Sequence, residues 1–167
     1  MKIFLGTDHA GFELKEKIKN YLQDKGYEVE DCGAYEFNKD DDYPDFIGKA
    51  AEGVSTDPQA RGIVLGGSGQ AEAMVANKFS NVRCALFYSP AVPVFPADVT
   101  GRTSADPLEI ARLTREHNDA NMLSLGARFL KEEDVMKVVE MWLETPFSND
   151  ERHIRRLSKL KQIENGK

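Results

Sequence analysis

The run Gly66-Gly67-Ser68-Gly69-Gln70-Ala71-Glu72 combines glycines, a hydroxyl and a carboxylate within seven residues. Before it, Arg61 to Leu65 is a short apolar run bounded by glycine, the pattern of a buried strand. After it, Ala71, Met74, Val75 and Phe79 recur at helical spacing and predict a buried helix face. A strand that turns through glycines into a helix presents backbone N–H groups at the helix N-terminus. Such groups bind anions and anionic intermediates. Glu72 falls in the first turn and adds a base. The combination points to chemistry on a small oxyanion. The run is neither a Walker A sequence nor G-x-G-x-x-G, which weakens a nucleotide reading.

Other polar residues stand where they could contribute. Asp8-His9 follows the first apolar run; Asp8 is equally suited to cap a helix and His9 to sit on the surface. His117-Asn118 lies in the polar run Arg115 to Asp119, where a histidine also suits the negative end of a helix dipole. Arg128 follows the fifth apolar run. In the last helix, Arg152 and Arg156 are four apart and share a face, with His153 beside them. That face is a solvated helix surface or a phosphate clamp, because guanidinium forks match phosphate oxygens. A helix so far along the chain from the glycine turn could serve a partner subunit's site. Asp8, His9, Glu72 and His117 lack the spacing of helix-borne or Cys/His metal sites, so no metal is expected.

The elements that must position these residues alternate. Strands are predicted at Lys2–Leu5, Tyr27–Cys32, Arg61–Leu65, Arg83–Tyr88 and Met122–Leu125. Between them lie helical faces at Leu14, Ile18, Tyr21 and Leu22, then Phe46 to Val54, then a helix started by Asp106 as N-cap and Pro107. Val135, Val138, Val139 and Trp142 form another face. Ser148-Asn149-Asp150-Glu151 reads as a capping box for a last helix carrying Ile154, Leu157, Leu160 and Ile163. This alternation predicts a three-layer α/β/α fold with a five-stranded, mainly parallel sheet, Rossmann-like. In such folds ligands sit at the carboxyl ends of the strands, which gathers Asp8, His9 and residues 66–72 at one edge. Residues 1–147 read as one α/β domain, with 148–167 its C-terminal helix, packing on a partner subunit.

Bulk properties remove several classes. A length of 167 residues suits one domain with a real core. The net charge of −6 argues against a general nucleic-acid binder. No run approaches the roughly 20 apolar residues of a membrane span. Met1 to Leu5 is too short for a signal peptide and reads as a strand. Cys32 and Cys84 form no C-x-x-C and read as reduced, buried thiols of a cytosolic protein. Ser89 to Pro107, with Pro90, Pro93, Pro96 and several apolar residues, breaks the rhythm; loops of this length are often lids or contact loops.

The ordered set Gly6 to Phe12, Asp42-Tyr43-Pro44, Gly66 to Glu72 with Ala76-Asn77-Lys78, Arg115 to Asn118, Gly126-Ala127-Arg128 and Arg152 to Arg156 covers nearly the whole chain. It resembles type B ribose-5-phosphate isomerases, whose family also holds galactose-6-phosphate and allose-6-phosphate isomerases. The resemblance implies an aldose–ketose isomerase with no metal and no organic cofactor, working through a cis-enediolate. Glu72 would be the base. One branch of the family uses a cysteine at the position of Gly66, so this chain is similar to the glutamate branch. Ser68 and the amides of Gly67, Gly69, Gln70 and Ala71 would stabilise the enediolate, and His117 would open the sugar ring. Asp8 and His9 would hold hydroxyls and the phosphate end. Asn118, Arg128, Arg152, His153 and Arg156 would bind substrate, residues beyond 110 coming largely from the second subunit of a homodimer or dimer of dimers. The implied reaction interconverts ribose 5-phosphate and ribulose 5-phosphate in the cytoplasm. A six-carbon sugar phosphate is the alternative substrate, and a non-catalytic phosphate-binding module the alternative class. The helix N-terminus lowers the pKa of Glu72 and burial raises it. The family's shorter connection after strand four makes residues 90–107 the main departure.

Overall fold

A computed structural model describes residues 1–166. The C-terminal segment 148–167 is therefore described up to Gly166, and Lys167 lies outside the described residues. The elements are β1 (Lys2–Thr7), α1 (Phe12–Asp24), β2 (Glu28–Asp31), α2 (Pro44–Thr56), β3 (Arg61–Gly66), α3 (Gln70–Ala76), β4 (Cys84–Phe87), α4 (Glu109–Asn118), β5 (Met122–Gly126), α5 (Glu132–Glu144) and α6 (Glu151–Glu164). The strands form one sheet in the order β2-β1-β3-β5-β4. Every pairing is parallel, so the expected mainly parallel sheet is wholly so.

Strand residues alternate between two cores, as the period of two demands. Ile3, Leu5, Ile63, Leu65, Leu123 and Leu125 pack with α1, α4 and α5, around Trp142. Phe4, Val64 and Met122 face the other way, onto α2 and α3. Strands buried on both faces explain why β3 reads as a continuous apolar run. β1 and β3 each run past the predicted ends because Thr7 pairs with Leu65 and Gly66 with Gly126.

Four local expectations are corrected. α3 ends at Ala76, before Phe79, and Met74 is 65% exposed. The face it buries carries Glu72 and Ala76 instead, one helical turn apart. α4 begins at Glu109, and Asp106 caps the turn before it by accepting from Leu108 N at 2.9 Å. α6 has Asp150 at its N-cap without a side-chain bond, so the capping box at Ser148 does not form. Ile154, Leu160 and Ile163 stay exposed because α6 does not seal against its own chain. A cavity of about 630 Å³ remains beneath it, lined by Asn77, Arg83, Cys84, Leu157, Leu160 and Ile163 among others.

Tyr88 to Leu108 contains no helix or strand. Ala91 N donates to Pro107 O at 2.8 Å and closes the loop's base. Arg102 bonds Glu109 at 2.8 Å and Glu116 at 2.7 Å, strapping the loop along α4. Val94, Phe95 and Val99 remain exposed at its tip.

Candidate active site

The sheet order reverses between β1 and β3, since β2 lies to one side of β1 and β3 to the other. Ligands bind at such a switch point, beyond the carboxyl ends of its strands. Here β1 delivers Asp8-His9 and β3 delivers the glycine turn.

The turn is clamped by β5. Ala127 N donates to Gly66 O at 2.9 Å, Arg128 N to Gly67 O at 3.1 Å, and Ser124 Oγ to Gly69 O at 2.6 Å. A trans peptide sets C=O and N–H antiparallel, so the N–H groups of Gly67, Ser68 and Gln70 point away from β5. Gly69 takes a φ of +76°, the left-handed region glycine enters without a Cβ clash. The Arg128 guanidinium covers the turn: a Cβ on Gly67 would lie 3.3 Å from its Nη1. Arg128 therefore stands with the glycine turn of its own chain, although residues beyond 110 were expected largely from a second subunit.

Glu72 is only 4% exposed. Its carboxylate lies against Gly66, where an added Cβ would fall 1.9 Å from Oε1. A side chain at 66 and a carboxylate at 72 thus compete for one space. Glu72 Oε2 is buried without a hydrogen-bond partner among the described residues. Burial pushes the Glu72 carboxyl up from 4.5; a bond from its own backbone N–H opposes this, and the nearby Asp8 charge adds to it. Burial therefore outweighs the one N–H bond that the helix N-terminus offers.

Asp8 caps the turn before α1, its Oδ1 accepting from Ala10 N at 2.9 Å. His9 is held by Asp41, whose Oδ1 takes both the His9 backbone N at 3.1 Å and Nδ1 at 2.7 Å. Sequence reading missed Asp41: nothing in the run Asp40-Asp41-Asp42 marks its middle residue. Asp8, His9 and Asp41 each offer one ligand atom within 4.8 Å of the others, the one such cluster among the described residues. His9 Nδ1 already spends its contact on Asp41.

His117, Asn118, Arg152 and His153 are not brought to Glu72. α4 runs back against the strands, and its last residues meet the amino ends of β4 and β5: Arg83 Nε donates to Asn118 O at 3.0 Å, and Asn121 N to Arg83 O at 3.1 Å. The length of β5, about 13 Å at about 3.3 Å per residue, separates the two edges. There the His117 and His153 rings lie against each other, centroids 4.2 Å apart and planes tilted by 36°. Burial lowers the His117 pKa from 6.5, the charges of His153, Arg152 and Arg102 push the same way, and Glu116 opposes them. Arg156 is exposed on the next turn of α6.

A protein-family model described as Ribose/Galactose Isomerase matches residues 3–93 and 103–160. The chain belongs to this family. It is 40% identical over 164 residues to the ribose-5-phosphate isomerase B of Mycolicibacterium paratuberculosis, covering 98% of this chain and 92% of that one. The corresponding Mycobacterium tuberculosis protein is 39% identical, with 98% and 90% covered. Among solved structures, ribose-5-phosphate isomerase B of Clostridium thermocellum superposes with a TM-score of 0.83 at 36% identity, covering 99% of both chains. The Mycoplasma genitalium enzyme, solved with bound ribulose 5-phosphate, gives 0.85 at 32% identity, with 99% and 97% covered. Residues 94–102 fall between the matched segments, which narrows the departure expected at 90–107 to the loop's tip.

Burial raises the Cys32 thiol to about 11 and the Cys84 thiol to about 12, so neither is a nucleophile at neutral pH. No helix among the described residues is long and apolar enough to cross a membrane.

Proposed function

We propose that this chain interconverts ribose 5-phosphate and ribulose 5-phosphate. The observation that carries the reading is the buried Glu72 carboxylate, with an unpartnered oxygen, beside a clamped glycine turn at the switch point. Glu72 takes the proton from C2 of the open-chain aldose and returns it to C1. The electron pair flows through the C1–C2 enediolate, and the hydroxyl proton moves from O2 to O1. Ser68 and the turn's N–H groups face the oxygens where charge develops; one such donor is worth about 3 kcal/mol of barrier. A raised pKa suits Glu72 to both halves of this transfer, since a base that must also return its proton works best near the working pH.

His117 opens the sugar ring, Asn118 contacts the sugar, and Arg152 and Arg156 hold the phosphate. These act in the site of a second copy, in a cytoplasmic homodimer or dimer of dimers. The reading is supported by their place at the opposite sheet edge and by the uncovered apolar stripe of α6. The carboxyl edge of the sheet supplies one half of each site, and the end of α4 with α6 reaches across from the second copy. The reaction belongs to pentose phosphate metabolism and needs no metal or organic cofactor.

The test is a rate measurement on ribose 5-phosphate in deuterated water, with six-carbon aldose 6-phosphates alongside. Turnover of the five-carbon substrate with deuterium incorporated at carbon is expected; a higher specificity constant for a six-carbon sugar would reassign the substrate. Inactive Glu72→Gln and Arg152→Ala proteins should regain activity when mixed and exchanged. Failure to regain it, with subunit exchange confirmed, would rule out the shared site.

A further inference from the structure

His153 was expected to touch substrate. Both of its ring nitrogens are engaged within this chain. The residue is 1% exposed. Nδ1 lies 2.7 Å from Ser148 Oγ, and Nε2 accepts from Arg152 Nε at 3.1 Å. A guanidinium N–H can only donate, so Nε2 carries the lone pair and the ring hydrogen sits on Nδ1, donated to Ser148. Ser148 is fixed in turn: its backbone N donates to Glu116 O at 3.1 Å, and its Oγ accepts from Asp150 N at 3.3 Å. Asp150 Oδ2 also lies 3.3 Å from Arg152 Nη2. The ring's face rests on His117.

We propose that His153 is a positioning residue, which aims the Arg152 guanidinium through Nε2 and sets the ring plane of His117 by stacking. One buried ring thus fixes the spacing between a phosphate-holding group and a ring-opening group. The serine that sequence assigns to a helix cap instead sets the tautomer of this ring. The inference rests on the proposed function for what Arg152 and His117 do, and on geometry alone for what holds them.

Two substitutions separate the two actions. In His153→Phe the stack on His117 survives and the bond to Arg152 is lost. KM for ribose 5-phosphate should rise about tenfold, the worth of one hydrogen bond to a charged group, with kcat near the parent value. In His153→Gln, Oε1 takes the place of Nε2 and the aromatic face is lost. There KM should stay within about twofold and kcat should fall. Equal changes from both variants, or none, would overturn the proposal in favour of simple packing. A readout independent of catalysis uses the unsubstituted protein: ¹⁵N NMR at pH 8 should show the His153 hydrogen on Nδ1, and a hydrogen on Nε2 overturns the relay. Inorganic phosphate, titrated calorimetrically, should bind His153→Phe about tenfold more weakly. If the unsubstituted protein fails to turn over ribose 5-phosphate, the functional reading falls, while the NMR result still decides the relay.

Discussion

Two buried charges, Lys15 and Glu72, sit on either side of β1 and are treated in opposite ways. Lys15 is fully buried, and its Nζ reaches Asp31 Oδ1 at 2.6 Å, Ala34 O at 2.7 Å and Glu16 Oε1 at 3.0 Å. Three ammonium hydrogens meet three acceptors. Burial pulls the Asp31 carboxyl up, but hydrogen bonds from Lys15, Lys19 and Gly33 N overcome it and hold the group below 3.8. The pairing pins the segment after β2 beside Thr7, which exchanges backbone bonds with Gly33 and Ala34 at 2.8 and 2.7 Å. Glu72 has no such company. One of its oxygens is orphaned, and its carboxyl is pushed up. A satisfied buried charge builds structure. An unsatisfied one holds free energy that folding alone does not recover, and it is the group to which the proposed function gives the substrate proton.

The contrast is broken most sharply by exchanging what each charge does. Glu72→Gln should lower kcat roughly a thousandfold, within the range for losing a general base. The same change should raise stability by about 1 kcal/mol, because an unpaired buried carboxylate disappears. Steady-state rates and urea melts read the two effects; loss of both activity and stability would make Glu72 a structural residue. Lys15→Met should do the reverse. Breaking a buried ion pair costs about 3 kcal/mol of stability. Below the melting transition kcat should stay within about threefold, since Lys15 touches no reacting atom. A thousandfold loss of kcat in folded Lys15→Met would erase the distinction.

Sequence carried the sheet and the glycine turn, because both follow from local rules: apolar runs, glycine spacing and strand–helix alternation. It also placed Asp8 and His9 at the carboxyl edge of the sheet, where the structure has them. It did not reveal that Glu72 is buried while Met74 is exposed. Hydrophobicity assigned α3's inner face to methionine, and only tertiary packing against Gly66 reverses that. Lys15 left no trace either; in sequence it is one charge among many on a surface helix. Asp41 and Ser148 were missed or misassigned for a shared reason. Each acts on a histidine through folding of the chain, and neither spacing nor residue type announces a partner. The division of the proposed site residues between two sheet edges became visible only with the direction of α4.

A smaller intrusion sharpens the case for Glu72. Gly66→Ala adds one methyl group where the carboxylate now lies, 1.9 Å from Oε1. The carboxylate is kept but displaced by about 1 Å, which should cost a base about a hundredfold in kcat. Gly67→Ala is the control. Its Cβ would approach Arg128 at 3.3 Å, the end of a flexible side chain that can yield. Its effect should fall on KM. Equal kcat losses from the two alanines would mean that the turn, and not the carboxylate's position, is sensitive.

The smallest effect separates the two charges by sign. Glu72 has a folded pKa raised above 4.5, so its stabilising share is complete below 4.5 and lost as pH rises through the folded value. Asp31 has a folded pKa below 3.8, so its share is complete above 3.8 and lost only as pH falls through the lower value. Melting temperatures of the parent and Glu72→Gln should therefore differ most at neutral pH and converge as pH falls toward about 4.5. Parent and Lys15→Met should keep their separation across that window and converge only below about 3.8. Under the proposed function, the same proton that relieves Glu72 also removes the base. The acid limb of kcat/KM should then fall in the pH range where the first pair of melting curves closes. The His117 pKa is lowered from 6.5 and that of Glu72 raised from 4.5, so the two shift toward each other, and the comparison is made again in Glu72→Asp, which keeps a carboxylate and should move both curves together. A limb that stays put while the melting curves move would take the acid limb away from Glu72.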